Sequence, residues 1–437
     1  MEDTIFALST PIGGAIAVIR ISGGEAKAIL QRIFTGNIVP RYASFGRIVD
    51  EGVTLDEAVA VYFQSPGSYT GEDVAELSVH GGQAVVQGCM ELISRYARAA
   101  EPGEFTKRAF LNGKMDLTRA EAVMDVINAA SSRSASAALR QLEGELGVRI
   151  AAIEETLLDA LCGIDAAIDY PEELEEDVLS SLPDVIDVAR QQIQALIEDG
   201  LKSRVLRDGA LVVIAGRPNA GKSSLLNAIT GTQRAIVTAL PGTTRDIIEE
   251  QLSICGMPVR LVDTAGIRNT DDVVEREGVA RAKNIIERAD LVLLAFDSAA
   301  CLTHEDAELC ALICAKPCVA VLCKTDLAPA VTPDQVQAMC AVPPIMVSAD
   351  TGEGLTELKA QIARHIAPGE SALVTNVRHI EALRLAESAL ICAACAVDVD
   401  CIATDIRTSL TALGAITGRE VDAEVIDGIF RRFCVGK

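Results

Sequence analysis

Gly216 is followed, after four residues, by Gly221, Lys222 and Ser223 within the segment "LVVIAGRPNAGKSSLLNAI". An apolar run from Leu211 to Ile214 precedes the group and a helical pattern follows it. That is the strand–loop–helix setting of a phosphate-binding loop. The residue types suit the chemistry. Glycines let backbone N–H groups close around phosphate oxygens, a lysine at Lys222 reaches the β- and γ-phosphates, and the Ser223 hydroxyl can ligate magnesium. The candidate nucleotide-binding residues of this loop are Asn219, Ala220, Gly221, Lys222, Ser223 and Ser224.

Further candidates follow in order. "PGTTRD" places Gly242, Thr243 and Thr244 in a polar stretch where a switch loop offers a threonine hydroxyl to magnesium. "VRLVDTAG" reads as a strand ending in Asp263, then Thr264, Ala265 and Gly266, the DxxG pattern whose aspartate supports the magnesium water and whose glycine N–H senses the γ-phosphate. "VLCKTD" ends another apolar run, and "MVSADTGEGL" carries Ser348 and Ala349. Together these resemble the ordered G1–G5 motifs of a translation-factor-class GTPase. The Asp326 carboxylate would accept the N1–H and N2–H of guanine, with Lys324 over the ring, so GTP is expected over ATP.

Two departures stand out. Cys323 occupies the asparagine position of Asn-Lys-x-Asp, which removes a side-chain amide that braces the loop and meets the base. Ile267 follows the DxxG glycine, where Ras-like enzymes carry a water-orienting glutamine. Asp271, Asp272, Glu275 and Glu277 lie close enough in sequence to take over that task.

These motifs need a scaffold. The 437 residues allow two to four domains, and with 49% apolar residues a sizeable core is expected. The start "MEDTIFALST" has no secretory pattern, and the most apolar stretch, "CALICAKPCVAVLC", is broken by Lys316 and Pro317. A soluble cytoplasmic protein is expected. The net charge of −23 argues against broad nucleic-acid binding by this chain alone. Thirteen cysteines, an odd number in a chain without a signal, are expected reduced. Cys310, Cys314, Cys318 and Cys323 are close in sequence but form no CxxC. Cys392 and Cys395 do form one, on a helical pattern with no second pair. Both groups are expected to be small apolar core residues rather than metal ligands.

From Leu117 to about Lys202 the pattern is helical, with Ile150, Ile153, Leu157, Leu161, Ile164 and Ile168 on one face. "EELEED" (Glu172 to Asp177) reads as a solvated loop or helix start. After Pro368 helical spacing resumes through Ile380, Leu383, Leu390, Ile402, Ile406, Leu410 and Leu413. Two helical flanks predict one bundle with the nucleotide domain inserted into it. Before residue 117, "AIAVIRIS", "EAVAVYF" and "VAELSVH" read as short strands of an α+β domain. Glu76 interrupts the last of these, and by alternation alone it faces solvent.

"SYTGEDVAELSVHGG", "PGEFTKRAFLNGKMDLTRAEAV" and the terminal "FCVGK" resemble the MnmE (TrmE) family of tRNA-modification GTPases over essentially the whole chain. The resemblance implies a multidomain α/β protein. Its parts are an N-terminal α+β folate-binding and dimerisation domain (1–116), a split all-helical domain (117–204 and 371–437) and an inserted Ras-like P-loop GTPase domain (205–370). It implies a cytoplasmic homodimer that works with an FAD-dependent partner, MnmG, on C5 of the wobble uridine of certain tRNAs. The one-carbon unit comes from a tetrahydrofolate derivative, in its 5-formyl or methylene form, and the partner can carry much of the tRNA contact. Arg20, Glu76, Lys114 and Lys437 match positions lining the folate pocket, which moves Glu76 from a solvent-facing residue to a ligand. Ser223 and Thr244 match magnesium ligands. Asn219, Thr238, the Leu240 carbonyl and Thr243 match a potassium cage that stands where other GTPases place an arginine finger. Glu275 matches a water-orienting glutamate.

Two rivals are a ribosome-assembly GTPase and a non-hydrolysing GTP-binding scaffold. The first normally carries a basic RNA-binding domain, which this acidic sequence lacks. The second draws on Cys323. Cys434, four residues from the end, is poorly placed for prenylation, because Gly436 is not aliphatic and Lys437 is not a usual terminal residue for that signal. By composition it is a core thiol. The resemblance makes it a candidate active-site thiol with an open role, delivered with Lys437 toward the folate pocket.

Overall fold

The computed structural model describes residues 3–169, 171–231, 249–263, 284–313, 316–368 and 371–436. By packing, the chain divides into two units. One comprises residues 1–124, 142–151 and 411–437, and the other 125–141 and 152–410.

In the first unit, six strands form a sheet: β1 (Ile5–Leu8), β2 (Ile16–Ser22), β3 (Ser44–Asp50), β4 (Val53–Phe63), β5 (Val74–His80) and β6 (Arg98–Ala99). Their order is β3-β4-β5-β2-β1-β6, antiparallel except for β1 with β6. The alternation anticipated in β2 and β5 decides the two faces. Ala17, Ile19 and Ile21 of β2 and Ala75, Leu77 and Val79 of β5 enter one core, covered by the helices Ala26–Ile33 and Gln83–Ser94. On the opposite face Ile5, Ala7, Ala100 and Phe105 make a smaller cluster with Tyr69 against it.

The helix Glu104–Leu111 begins in the "PGEFTKRAFLNGK" segment and carries a buried charge network. Arg108 donates to Asp3 Oδ1 at 2.8 Å, to Glu104 Oε1 at 3.0 Å and to Glu72 Oε2 at 3.2 Å. Arg98 donates to the same Glu104 carboxylate at 2.7 Å and to Asp3. Burial pushes the Glu104 carboxyl up, but Arg98, the Glu101 N–H and Arg108 outweigh it and hold it below its ordinary value. Asp3 is likewise lowered, chiefly by Arg98. For depressed carboxylates the stabilisation is fully present above the ordinary carboxylate range and is lost as pH falls through the lowered values. The urea midpoint of the first unit is therefore expected to hold on mild acidification and to fall steeply below that range. A midpoint independent of pH through strong acid would contradict this.

The second unit holds a six-stranded sheet: β7 (Ala210–Gly216), β8 (Glu249–Ile254), β9 (Met257–Asp263), β10 (Leu291–Asp297), β11 (Cys318–Cys323) and β12 (Ile345–Val347). Its order is β12-β11-β10-β7-β9-β8, parallel apart from the β8–β9 pair. The near-continuous apolar runs of β7, β10 and β11 follow from burial on both faces. All five parallel strands therefore end at one edge, where the phosphate-binding loop follows β7, Asp263 ends β9, Lys324 and Asp326 follow β11 and Ser348 follows β12.

The helices Leu117–Ile127, Ser132–Glu143, Glu145–Asp169, Pro171–Ser203, Val377–Cys395 and Val399–Thr417 account for the two helical flanks. "EELEED" falls in the first turns of the fourth, as a helix start. Of the expected stripes, Ile150, Ile153, Leu157, Ile164, Ile380, Leu383, Leu390, Ile402, Ile406 and Leu413 are buried, while Leu161 and Leu410 are half-buried. The Ile168 side chain lies outside the described residues. The segment leaving the nucleotide domain is gripped by Asp199, whose carboxylate accepts the backbone N–H groups of Ser371, Ala372 and Leu373 at 3.1–3.2 Å. The segment entering it is held by Ser134, whose Oγ donates to the Leu206 carbonyl at 2.6 Å. These bonds fit an insertion, in which both ends are fixed to one helical support.

One cysteine expectation needs correction. Cys392 and Cys395 are exposed, because their helix turns Leu383, Ala386, Leu390 and Ala393 inward. Cys323 is buried in β11, whereas Cys310 and Cys318 are half-buried and Cys314 lies outside the described residues. Among the described residues no group of three or more His, Cys, Asp or Glu side chains could hold a metal ion, and no helix is long and apolar enough to cross a membrane.

Candidate functional site

Residues 217–221 run from the end of β7 to the helix Lys222–Thr230. Asn219 (φ +63°) and Gly221 (φ +94°) both adopt the left-handed region, which turns successive N–H groups toward one concavity. A Cβ on Gly221 would also stand 3.2 Å from Cys323 Cβ, so the position needs glycine on two counts. Lys222 is buried and arches over the loop, donating to the carbonyls of Gly216 at 2.9 Å and Arg217 at 2.6 Å. Arg217 anchors the loop from outside through Asp306, 3.0 Å away.

Ser223 and Asp263, forty residues apart, come together at the ends of β7 and β9. Ser223 Oγ donates to Asp263 Oδ2 at 2.8 Å. A hydroxyl and a carboxylate at this spacing are oxygen donors of the kind a hard divalent cation takes, so the pair fits magnesium. The remaining residues assigned from sequence to the nucleotide phosphates, magnesium, potassium and the attacking water are Thr238, Leu240, Thr243, Thr244, Thr264, Ala265, Gly266 and Glu275. All of these lie outside the described residues.

Gly221, Ser224, Cys323, Lys324, Asp326 and Ala349 are among the residues around a cavity of about 150 Å³. This is where sequence reasoning places the base. Ser348 Oγ donates to Asp326 Oδ1 at 2.7 Å and fixes the carboxylate. Lys324 stands at φ +60° and its ammonium donates to the Asn219 carbonyl and to Asp297 Oδ2, each at 2.7 Å. Cys323 offers no polar head to this cavity. It is buried against Gly221, and burial pushes its thiol up to about 12, so it remains a neutral spacer. Asp297 and Ser298 escaped sequence reasoning. Their signal was "FDS" directly after an apolar strand that ends at the ligand edge.

In the first unit Arg20 and Glu76 are directly opposite each other on β2 and β5, and Arg20 Nε donates to Glu76 Oε1 at 2.8 Å. The Arg20 guanidinium lies 5.1 Å from the Tyr69 ring centroid and 5.6 Å from that of Phe105. Glu76 is thus half-buried and paired, not pointed at open solvent as alternation alone predicts, because the second face of the sheet is covered. Lys114 is exposed and donates to the Pro66 carbonyl at 2.9 Å, at the start of the turn that carries Tyr69. A cation and a carboxylate beside aromatic rings fit a folate, whose glutamate tail is anionic and whose pterin edge is polar.

The C-terminal residues lie on this same unit. The Cys434 carbonyl accepts the Gly103 N–H at 3.3 Å, and the Gly436 carbonyl accepts Ser9 Oγ at 3.1 Å. Cys434 is exposed, which corrects the core-thiol expectation from composition. Lys437 lies outside the described residues. Gly436 has φ +94°, and a Cβ there would stand 2.3 Å from the Leu8 carbonyl. Gly436→Ala is therefore expected to lift the tail from β1, at a cost of about 1–3 kcal/mol. The check is amide exchange at Gly103, whose protection should fall about fivefold to a hundredfold, since about 1.4 kcal/mol is a factor of ten. Unchanged protection would show that the tail tolerates the side chain.

Comparison with known proteins matches residues 4–114 to the family described as GTP-binding protein TrmE N-terminus, and residues 117–434 to the MnmE helical domain. A tRNA modification GTPase MnmE of Alkaliphilus oremlandii is 41% identical over 459 residues, covering 100% of both chains. That of a Synechococcus species is 43% identical over 460 residues, covering 100% of this chain and 99% of its own. Among solved structures, the G domain of the T. maritima FeoB iron transporter is similar over 36% of this chain and 98% of its own. Its identity is 30% and its TM-score 0.29.

Proposed function

The chain belongs to the MnmE family of tRNA modification GTPases, and on that premise we propose that it is a potassium-dependent GTP hydrolase serving wobble-uridine modification. With an FAD-dependent partner similar to MnmG, it adds an aminomethyl or carboxymethylaminomethyl group at C5 of the wobble uridine of certain tRNAs. It works in the cytoplasm as a homodimer joined through residues 1–116. Residues 117–204 and 371–437 form the split helical domain around the nucleotide domain, 205–370.

The observation that carries this reading is the convergence of Lys222, Ser223, Asp263, Asp326 and Ser348 at one edge of the parallel sheet. Backbone N–H groups of residues 219–224 grip the β-phosphate, and Lys222 swings its ammonium from the loop carbonyls onto the β- and γ-oxygens. Ser223 and Thr244 would hold magnesium, with Asp263 supporting Ser223. Asn219, Thr238, the Leu240 carbonyl and Thr243 hold potassium. These cations supply neutralisation of the charge that builds on the transferring phosphoryl group. Glu275 orients the attacking water, the task Ile267 cannot perform. Asp326 accepts the guanine N1–H and N2–H while Ser348 keeps its carboxylate in plane.

In the first unit Arg20, Glu76 and Lys114, joined by Lys437 from the tail, bind a tetrahydrofolate derivative, which supplies the one-carbon unit. Cys434 is the candidate active-site thiol of this unit. The cross-strand Arg20–Glu76 pair and the seating of residues 434–436 on the same unit support this assignment.

Hydrolysis of GTP in potassium and in sodium tests the first half. Turnover should be stimulated by potassium, and no turnover in either salt would favour a non-hydrolysing scaffold. Mass spectrometry of wobble nucleosides from cells lacking the protein tests the second. Unchanged C5 modification would sink the tRNA assignment.

A further inference from the structure

We propose that Asp297 and Ser298, at the end of β10, are positioning residues for the guanine-recognition loop and replace the brace that Cys323 cannot provide. The inference rests on the GTP-binding reading above and deepens it.

The loop after β11 must hold Asp326 at a fixed distance from the phosphate-binding loop, because the base and the phosphates belong to one ligand. A side-chain amide at position 323 could tie the two loops directly. Cys323 is buried with Cβ beside Gly221, and among the described residues its sulfur makes a weak contact, 4.0 Å from the Val321 carbonyl. The connection exists nonetheless, made by other atoms. Lys324 Nζ donates to the Asn219 carbonyl and so spans from one loop to the other.

Three bonds from the Asp297–Ser298 turn hold that lysine and its backbone. Asp297 Oδ2 accepts Lys324 Nζ at 2.7 Å, Ser298 Oγ donates to the Lys324 carbonyl at 2.7 Å, and Ser298 N–H donates to the Cys323 carbonyl at 3.0 Å. The turn itself is fixed, since Asp297 Oδ1 accepts the Ala299 N–H at 2.9 Å and Ser298 is buried. Lys324 stands in the left-handed region, a backbone conformation that a lysine holds only when its surroundings impose it. The Asp297–Ser298 turn imposes it. The charge-assisted bond to Asp297 also restricts the ammonium, so that the lysine stem stays over the base instead of swinging into solvent.

A guanine nucleotide should therefore leave faster when the carboxylate is lost, and the defect should be repaired by returning the amide. The test uses the full chain, with GDP and GTP dissociation followed by fluorescence of a labelled nucleotide. Asp297→Asn is expected to weaken binding about tenfold to a hundredfold, the range for one hydrogen bond to a charged group, mainly through the off-rate. Adding Cys323→Asn to it is expected to restore most of that loss, which a merely structural role for Asp297 would not allow. Thermal unfolding of both variants without nucleotide shows that they are folded, and Asp297→Glu gives a second, charge-retaining comparison with a smaller loss. Unaltered affinity in folded Asp297→Asn overturns the proposal. So does a weakened Asp297→Asn that Cys323→Asn fails to repair. A wild-type chain that binds no guanine nucleotide would instead remove the GTP-binding reading, and this inference with it.

Discussion

In the Asp326→Asn chain, GTP affinity is expected to fall by about two to four orders of magnitude and xanthosine triphosphate to become the preferred ligand. The carboxylate would accept two hydrogen bonds from guanine, and hydrogen bonds to a charged group are worth about 1.5–3 kcal/mol each. Asparagine keeps only a neutral acceptor for N1–H and sets a donor against the guanine amino group, so one charged bond is lost, the other weakened and two donors are opposed, together about 3–6 kcal/mol at about 1.4 kcal/mol per factor of ten. Asparagine presents one acceptor and one donor, which matches xanthine, where a carbonyl replaces the guanine amino group. Ser348 would still hold the side chain, because its hydroxyl bonds an amide oxygen as readily as the carboxylate oxygen 2.7 Å away. Calorimetric titration with both nucleotides decides the matter. Full GTP affinity in this variant would remove Asp326 from base recognition.

The second large effect concerns stability. Arg108→Met is expected to destabilise the first unit by about 3–5 kcal/mol, the cost of leaving buried carboxylates without their partner. Arg108 is 1% exposed and meets Asp3, Glu72 and Glu104 at once. Methionine fills the stem's volume but supplies no donor. Glu72 would keep its Ser22 hydroxyl contact, 2.9 Å away, and Glu104 would keep Arg98 and the Glu101 N–H. Urea unfolding followed by a probe in the first unit reads the loss. Nucleotide binding should persist, since none of these residues belongs to the nucleotide loops. A variant as stable as wild type would mean that the carboxylates protonate or rehydrate at little cost.

The nucleotide site was legible because its chemistry is written in contiguous stretches. A loop that wraps a phosphate uses its own backbone, so "GRPNAGKSS" declares itself without help from the fold. Asp326 and Ser348 were legible singly, each at the end of an apolar run, and parallel strands must end at the same edge. Their bond was not, because twenty-two residues separate them. Glu76 shows the opposite case. Alternation along β5 correctly placed it on the face away from the main core, but only the neighbouring strand and Phe105 reveal that this face is covered and that Arg20 meets it. Cys392 and Cys395 were misjudged because composition favours buried thiols, whereas exposure is set by which helical face turns inward.

By itself, then, the sequence determined that this chain carries a guanine-nucleotide loop set, two helical flanks and an α+β beginning, since periodicity and local backbone chemistry act over a few residues at a time. Tertiary structure alone decided which distant groups touch. It set Lys324 on Asp297 to span a loop that Cys323 leaves unbraced, sank Arg108 among three carboxylates, and laid residues 434–436 on the first unit. Those contacts join residues up to 427 positions apart in the chain. Such pairs form only after the sheets and helices have buried their apolar faces, so no local pattern announces them.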